Sequence, residues 1–220
     1  SLIKGLSQTA PKKKTSQFAT LTGGLSDLIV ALEEALVSAN VNIRTSVKVE
    51  AVEKKVQGYE LSLSTGEVLE ADQVILAVPH RIAEKLLNKV DYLHRENAAP
   101  DTSVATIAMA FNQSDVKMEK EGTGFVVSRL EDKLITASTW THMKWGHAAP
   151  EGKAVIRCYV GKAGDDRIIE KSDDELIQIA LKDLSGIVAI HADPDFAIVS
   201  RWPEAMPQYS VGHKQWLADV

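Results

Sequence analysis

EADQVILAVP, residues Glu70 to Pro79, passes from polar to apolar within a few positions. Val74, Ile75, Leu76, Ala77 and Val78 carry no polar side chain, most are β-branched or branched aliphatic, and Pro79 ends the run. A short unbroken apolar run of this kind predicts a strand covered on both faces, as in the parallel sheet of an α/β domain. Proline cannot donate to a ladder and biases the residue before it toward an extended backbone. In open α/β sheets the carboxyl end of such a strand faces the ligand crevice. On these residues alone an ordinary buried core strand reads the same way.

Upstream, Gly23–Gly24 precede Leu25–Asn40, where Leu25, Leu28, Ile29, Leu32, Ala35, Leu36 and Ala39 recur at helical spacing. The two glycines suit either close approach to a ligand or a plain helix entry. Asp27 sits near the positive end of the helix dipole, and Asn40 suits the helix end. Val41–Thr45 reads as a short strand. Val47, Val49 and Ala51 alternate with polar residues, as do Tyr59, Leu61 and Leu63, with turn signals at Gln57–Gly58 and Thr65–Gly66. These predict a three-stranded antiparallel ribbon ahead of Val74–Val78. Ile82, Leu86, Leu87 and Val90 predict a short amphipathic helix.

The texture changes near residue 95. Beyond the polar linker Asn97–Asp101, four strand-like segments follow: Ser103–Phe111, Phe125–Arg129, Leu134–Trp140 and Ala154–Val160. They predict a mostly antiparallel sheet. Ser172 with Glu175 forms a capping box, with Asp173 and Asp174 in the first turn of a helix running through Leu184. Phe196–Ser200 is a further strand, and it leads into RWPEAMPQYSVG, Arg201–Gly212, rich in turns and aromatics. The fold class expected is therefore mixed α/β and α+β, in segments 1–95, 96–195 and 196–220.

Composition narrows the function classes. Apolar residues make up 45% of the 220 residues and charged residues 25%, ordinary for a globular protein. A net charge of −5 argues against nucleic acid, whose binders usually carry a basic face. The single cysteine, Cys158, excludes an internal disulfide and fits a reducing compartment. No apolar run approaches the ~20 residues of a membrane span. Lys12–Lys14 read as a solvated loop or as a basic contact for an anionic ligand or membrane surface. The chain starts at Ser1 on SLIKGL and stops within a starting helix, HKQWLADV, so it is expected to be a piece of a longer protein. Neither a G-x-G-x-x-G fingerprint nor a Ser–His–Asp arrangement can be assigned, and His142 and His147 lack further ligands at zinc spacing. The expected metal set is none, and spacing alone leaves the catalytic residues unknown.

Four stretches together carry a resemblance: FATLTGGLSDLIVAL at Phe18–Leu32, TSVKVEAVEK at Thr45–Lys54, EADQVILAVP, and RWPEAMPQYSVGH at Arg201–His213. The first three resemble the middle of the amine-oxidase-like flavoproteins. The fourth, with EGTGFVVSR at Glu121–Arg129 and APEGKAVIRCYVGKAGDD at Ala149–Asp166, is similar to the bacterial porphyrinogen oxidases of haem synthesis, Gram-positive type. The resemblance implies an FAD enzyme of two domains. Residues 1–95 would be part of the FAD-binding, glutathione-reductase-like domain, with an N-terminal linker from the substrate or membrane side. Residues 96–195 would form the substrate-binding domain, and 196–220 would return into the FAD-binding domain. It further implies that coproporphyrinogen III, or protoporphyrinogen IX, gives up electrons to the flavin in three two-electron steps, with O2 reoxidising the flavin to yield hydrogen peroxide. Amine oxidases and carotenoid desaturases are the nearest enzymatic alternatives. A non-catalytic tetrapyrrole-binding module is the alternative of another class.

The resemblance also implies site residues. Val47 matches a valine whose backbone contacts the adenine end of FAD, and Trp202 an aromatic beside the flavin. Thr123, Val126 and Tyr159 match positions lining the tetrapyrrole pocket; Glu119 and Phe18 are further matches. A flat apolar macrocycle needs apolar walls with a few polar anchors, and its carboxylates call for Lys or Arg partners, Arg129 and Arg157 among them. The family's N-terminal phosphate-binding loop and C-terminal flavin stretch have no counterpart in these residues. The chain alone is therefore expected to bind FAD weakly or not at all. A cytoplasmic protein is implied, with a peripheral membrane contact or a haem-pathway partner enzyme.

Overall fold

A computed structural model describes residues 19–87, 100–118, 121–165 and 167–219, so Phe18, Glu119 and the expected helical position Val90 lie outside the described residues. The chain divides into two units, Ser1–Ile43 and Arg44–Val220.

The first unit is built on helix α1, Ser26–Ser38. The glycine pair proves to be its entry: Gly24 has φ +98° and donates to the Leu21 carbonyl at 3.0 Å. Asn40 closes the helix at φ +59°, a left-handed conformation in which asparagine is among the few tolerated side chains. The Asn40 and Val41 N–H groups return to the carbonyls of Val37 and Leu36, both at 3.0 Å, which satisfies the orphan acceptors of the last turn. Along α1 and its entry, Leu25, Leu28, Ile29, Leu32 and Leu36 stay between 43% and 67% exposed. The strand expected at Val41–Thr45 does not form, because no described strand lies beside it to complete a ladder.

The second unit opens with the expected ribbon. Strands β1 (Val49–Lys54), β2 (Tyr59–Leu63) and β3 (Val68–Ala71) pair antiparallel in that order. Helix α2 (His80–Leu86) packs on β1, and Val52, Leu63 and Leu86 are buried. Between β3 and α2 the expectation is corrected. Val74–Val78 form no strand, and Ile75 is 93% exposed. A central strand needs a ladder on each side and covered faces; no described strand pairs here, so apolar composition alone does not make one. Pro79 instead serves as the entry residue of α2, its carbonyl accepting the Ile82 N–H at 2.8 Å.

The main sheet is antiparallel throughout. It is built from β4 (Thr102–Asn112), β6 (Gly124–Val126), β7 (Ile135–Trp140), β8 (Lys153–Val160) and β10 (Phe196–Met206), in the order β10-β4-β8-β7-β6. Two short strands, β5 (Val116–Lys117) and β9 (Ala189–Ile190), pair separately. On one face Ala105, Ile107, Met109 and Phe111 of β4 meet Ala154, Ile156, Cys158 and Val160 of β8, all at 1% exposure or less. Helix α4 (Asp173–Leu184) lays Leu176, Ala180 and Leu184 against them. Each such large side chain contributes about 1.5–3 kcal/mol by leaving water. A single turn, α3 (Thr141–Lys144), follows β7, and α5 (His213–Asp219) forms at the expected HKQWLAD.

Two expectations need adjustment. Phe125–Arg129 is a strand only to Val126, although the Val127 N–H still reaches the Thr136 carbonyl at 2.9 Å. Conversely, β10 runs past Ser200 to Met206 instead of breaking into turns. Pro203 is accommodated because the ladder slips between Trp202 and Met206. In that bulge Glu204 takes φ +48° and gives its N–H to the buried Ser103 hydroxyl at 2.9 Å.

Candidate functional site

The face of the main sheet opposite α4 carries the side chains of interest. Strand register puts Ser200, Thr106, Tyr159, Ala137 and Val126 directly side by side across all five strands. At a spacing of ~4.8 Å per strand, the four gaps make a row about 19 Å long. Trp202 stands opposite Val104, two residues along the same face from Ser200 and Thr106. Apart from Tyr159 and Arg157 this face carries small or apolar residues, and parts of it are open: Val126 is 84%, Trp202 52% and Ile198 49% exposed. Tyr159 is held in place, its hydroxyl 3.4 Å from the Thr139 hydroxyl.

A cleft of about 290 Å³ opens where β4 begins and β8 and β10 end. Val104 and Val126 belong both to this cleft and to the open face. Met206 adds a further apolar wall, while Arg129, Lys133, Lys162 and Glu131 supply charge. Gly161 allows the strands to close here. It takes φ +97°, and a Cβ on it would run into the Ser103 carbonyl and approach Val104 Cα to 2.9 Å. The start of β7 is fixed by Asp183, whose Oδ2 accepts the N–H groups of Leu134 at 2.7 Å and Ile135 at 3.0 Å. Lys133 Nζ lies 3.8 Å from the other carboxylate oxygen.

Two candidates with reactive chemistry are occupied elsewhere. Burial pushes the Cys158 thiol up to about 12, only partly offset by its contact with the Ser138 hydroxyl. It is a packing residue, as its alternation on a strand suggests. Nδ1 of His142 lies 3.0 Å from the Val155 carbonyl and 3.2 Å from its N–H, which ties the ring to β8.

The residues predicted from sequence therefore separate. Tyr159, Val126 and Trp202 share one sheet face. Thr123 sits just before β6, exposed, its carbonyl accepting the Trp140 N–H at 2.8 Å. Val47 is half-buried two residues before β1 and outside any strand, so its backbone is not part of the ladder that alternation suggested. Arg129 lines the cleft, whereas Arg157 lies on the open face between Ala108 and Thr139. Thr106, Ala137, Ser200 and Lys162 were not singled out from sequence. Strand parity carries part of that signal, but register across five strands does not appear in a linear reading.

A face of this build, small and apolar on one side of an antiparallel sheet whose other side is packed by a helix, suits a flat organic ligand. The chain belongs to the flavin-containing amine oxidoreductase family, whose family model matches residues 5–220. FAD is the cofactor of that family, and its members are oxidoreductases. Within it, the chain is 43% identical to the coproporphyrinogen III oxidase of Bacillus subtilis (strain 168), over all of this chain and 48% of that protein. It is 35% identical to the coproporphyrinogen III oxidase of Staphylococcus aureus (strain NCTC 8325 / PS 47), over all of this chain and 49% of that one. A crystal structure from Exiguobacterium sp. 255-15, provisionally assigned as a protoporphyrinogen oxidase, superposes with a TM-score of 0.83 at 35% identity, covering 99% of this chain and 46% of its own. The chain thus spans about half the length of the curated relatives it matches.

Proposed function

We propose that this chain supplies the substrate wall of an FAD-dependent oxidase that converts coproporphyrinogen III, or protoporphyrinogen IX, to the porphyrin in haem biosynthesis, with O2 as terminal acceptor. The observation that carries the reading is the shared sheet face: Tyr159, Val126 and Trp202 stand together on a surface about 19 Å wide. Names of the relatives support the substrate class.

The residues fit the assigned group in one region. Trp202 is half-exposed at the end of the row, where a large flat ring can cover an isoalloxazine and keep water away. Val47, half-buried beside β1, is the residue proposed for the adenine end. Bound FAD supplies the two-electron redox chemistry. The chain's own groups orient the macrocycle: Val126 and Ala137 give apolar contact, the Tyr159 ring a flat one, and the Tyr159 and Thr139 hydroxyls polar anchors. Thr123, just before β6, and Glu119 and Phe18 remain candidates by resemblance. In this reading 1–95 and 196–220 serve the cofactor and 96–195 the substrate.

No described helix is long and apolar enough to cross a membrane. We place the protein in the cytoplasm, with a peripheral membrane or pathway-enzyme contact; the single buried cysteine and the net charge of −5 are compatible with that setting. The test is porphyrin fluorescence appearing when full-length, FAD-loaded protein meets coproporphyrinogen III in air. Oxidation of amines with no oxidation of porphyrinogens would overturn the reading.

A further inference from the structure

We infer that the cleft beside Val126 is a carboxylate subsite, and that Arg129 and Lys162 set the preference between porphyrinogens that differ in carboxylate number. The inference rests on the oxidase reading above and adds the chemical basis of its specificity.

Three observations converge. First, the cleft is continuous with the open face, because Val104 and Val126 wall both. A flat macrocycle lying on Tyr159 and Ala137 therefore projects its rim substituents into the cleft. Second, the charge there is unbalanced. Arg129, Lys133 and Lys162 face a single acid, Glu131. Lys133 is already drawn toward Asp183, at 3.8 Å. Arg129 and Lys162 have no ion-pair partner among the described residues, and both are exposed. Third, each cation sits just past a strand end, in a turn with a backbone anchor. Lys162 follows Gly161, which nothing larger can replace at its φ of +97°. Arg129 lies in the turn after β6, two residues past Val127, whose N–H is bonded to the Thr136 carbonyl at 2.9 Å, and the turn is closed by the Glu131 N–H on the Ser128 carbonyl at 3.1 Å.

Two unpaired cations at an apolar edge match propionate groups on a hydrophobic ring. Guanidinium and ammonium donors bind carboxylates with charge-assisted bonds, roughly twice as strong as neutral ones. Coproporphyrinogen III carries four carboxylates around its rim and protoporphyrinogen IX only two, with vinyl groups in the other places. Held with its vinyl edge toward this cleft, protoporphyrinogen IX gains nothing from it, whereas coproporphyrinogen III presents propionates on every edge. The pair Arg129 and Lys162 therefore favours the tetracarboxylate, and the apolar face accepts either ring.

The test uses full-length, FAD-loaded protein and the double variant Arg129→Ala, Lys162→Ala. Both residues are exposed, so folding and flavin content should be retained. The expected result is a KM for coproporphyrinogen III raised about tenfold, the effect of one good charge-assisted contact. The KM for protoporphyrinogen IX should move less than threefold, with kcat unchanged for both. Charge-conserving Arg129→Lys with Lys162→Arg should recover most of the preference. Equal changes for the two substrates, or none, would overturn the inference and leave the oxidase reading standing. A second arm measures binding without turnover, by fluorescence titration of coproporphyrin III and of its tetramethyl ester. The wild type should prefer the free acid, and the double variant should bind both alike. If the wild type oxidises no porphyrinogen yet shows this binding pattern, the subsite stands and the oxidase reading falls. Absence of any preference for the free acid refutes the subsite.

Discussion

Replacing Asp183 with alanine removes the clamp that holds the start of β7 against α4. The side chain is 7% exposed, and its Oδ2 accepts two backbone N–H groups, from Leu134 and Ile135. Ile135 is 1% exposed, so water does not replace its lost acceptor, and the orphaned donor costs about 1–3 kcal/mol. Leu134 is 45% exposed and recovers a water, which makes its share small. The Lys133 ion pair, at 3.8 Å near the surface, adds less than about 1 kcal/mol. Against these, an aspartate in the last turn of α4 opposes the helix dipole, and its removal returns roughly 0.3–1 kcal/mol. The net expectation is about 2 kcal/mol of destabilisation. At about 2–4 °C per kcal/mol for a domain of this size, the melting temperature should fall by about 4–8 °C. Urea unfolding followed by circular dichroism and tryptophan emission measures the first figure, and calorimetry the second. Asp183→Asn keeps a carbonyl oxygen in the same place and should recover more than half of the loss. A change within about 0.5 kcal/mol for Asp183→Ala would show that the two bonds do not fix the strand. If asparagine is as damaging as alanine, charge rather than hydrogen-bond geometry is at work, and the reasoning is refuted.

Ser172→Ala breaks the reciprocal capping box with Glu175 and should cost about 1 kcal/mol in the same urea assay; no loss would mean that the Arg201 contacts to Asp173 and to the Ile169 and Lys171 carbonyls hold the helix start unaided. Hydrogen bonds from the Ser172 backbone and hydroxyl, and the nearby Lys171 charge, hold the Glu175 carboxyl below the usual value of 4.5. Glu67 is lowered likewise by its bidentate bonds from Arg44. Because the folded state favours the charged form, this contribution is fully present above pH 4.5 and is lost as pH falls through the lowered folded values. Glu175→Gln should flatten that acid limb of a stability–pH curve, and an unchanged slope would count against the assignment. Cys158, with its thiol pushed up to about 12, is almost entirely protonated at pH 8. It should resist a disulfide-exchange reagent in the native protein and react once urea unfolds the chain, whereas rapid native labelling would show that the core around Ile107 and Ile156 opens.

Local patterns carried much of the secondary structure. The period of 3.6 in Leu25–Leu36, the box at Ser172–Glu175 and the alternation in Thr102–Asn112 and Lys153–Val160 each depend on residues near in sequence, and each forms. Val74–Val78 shows the reverse. Apolar composition there promised a central strand, but a strand is an agreement between neighbours, and no described neighbour pairs with it. Family membership was likewise legible, because it rests on residue identities at matching positions. The shared face was not. That Val126 stands beside Ala137 and Tyr159, with Trp202 on the same side, follows from strand order β10-β4-β8-β7-β6 and from the slip in β7 between Ile135 and Ala137. One residue of altered register would turn those side chains to the opposite face. Arg129 and Lys162 are 33 positions apart and become neighbours only through the ends of β6 and β8. Sequence thus determined the periods, caps and kinship of this protein, since those are local or positional. Tertiary pairing alone decided which side chains face one another, because hydrogen-bond register between distant strands is settled only when the core closes.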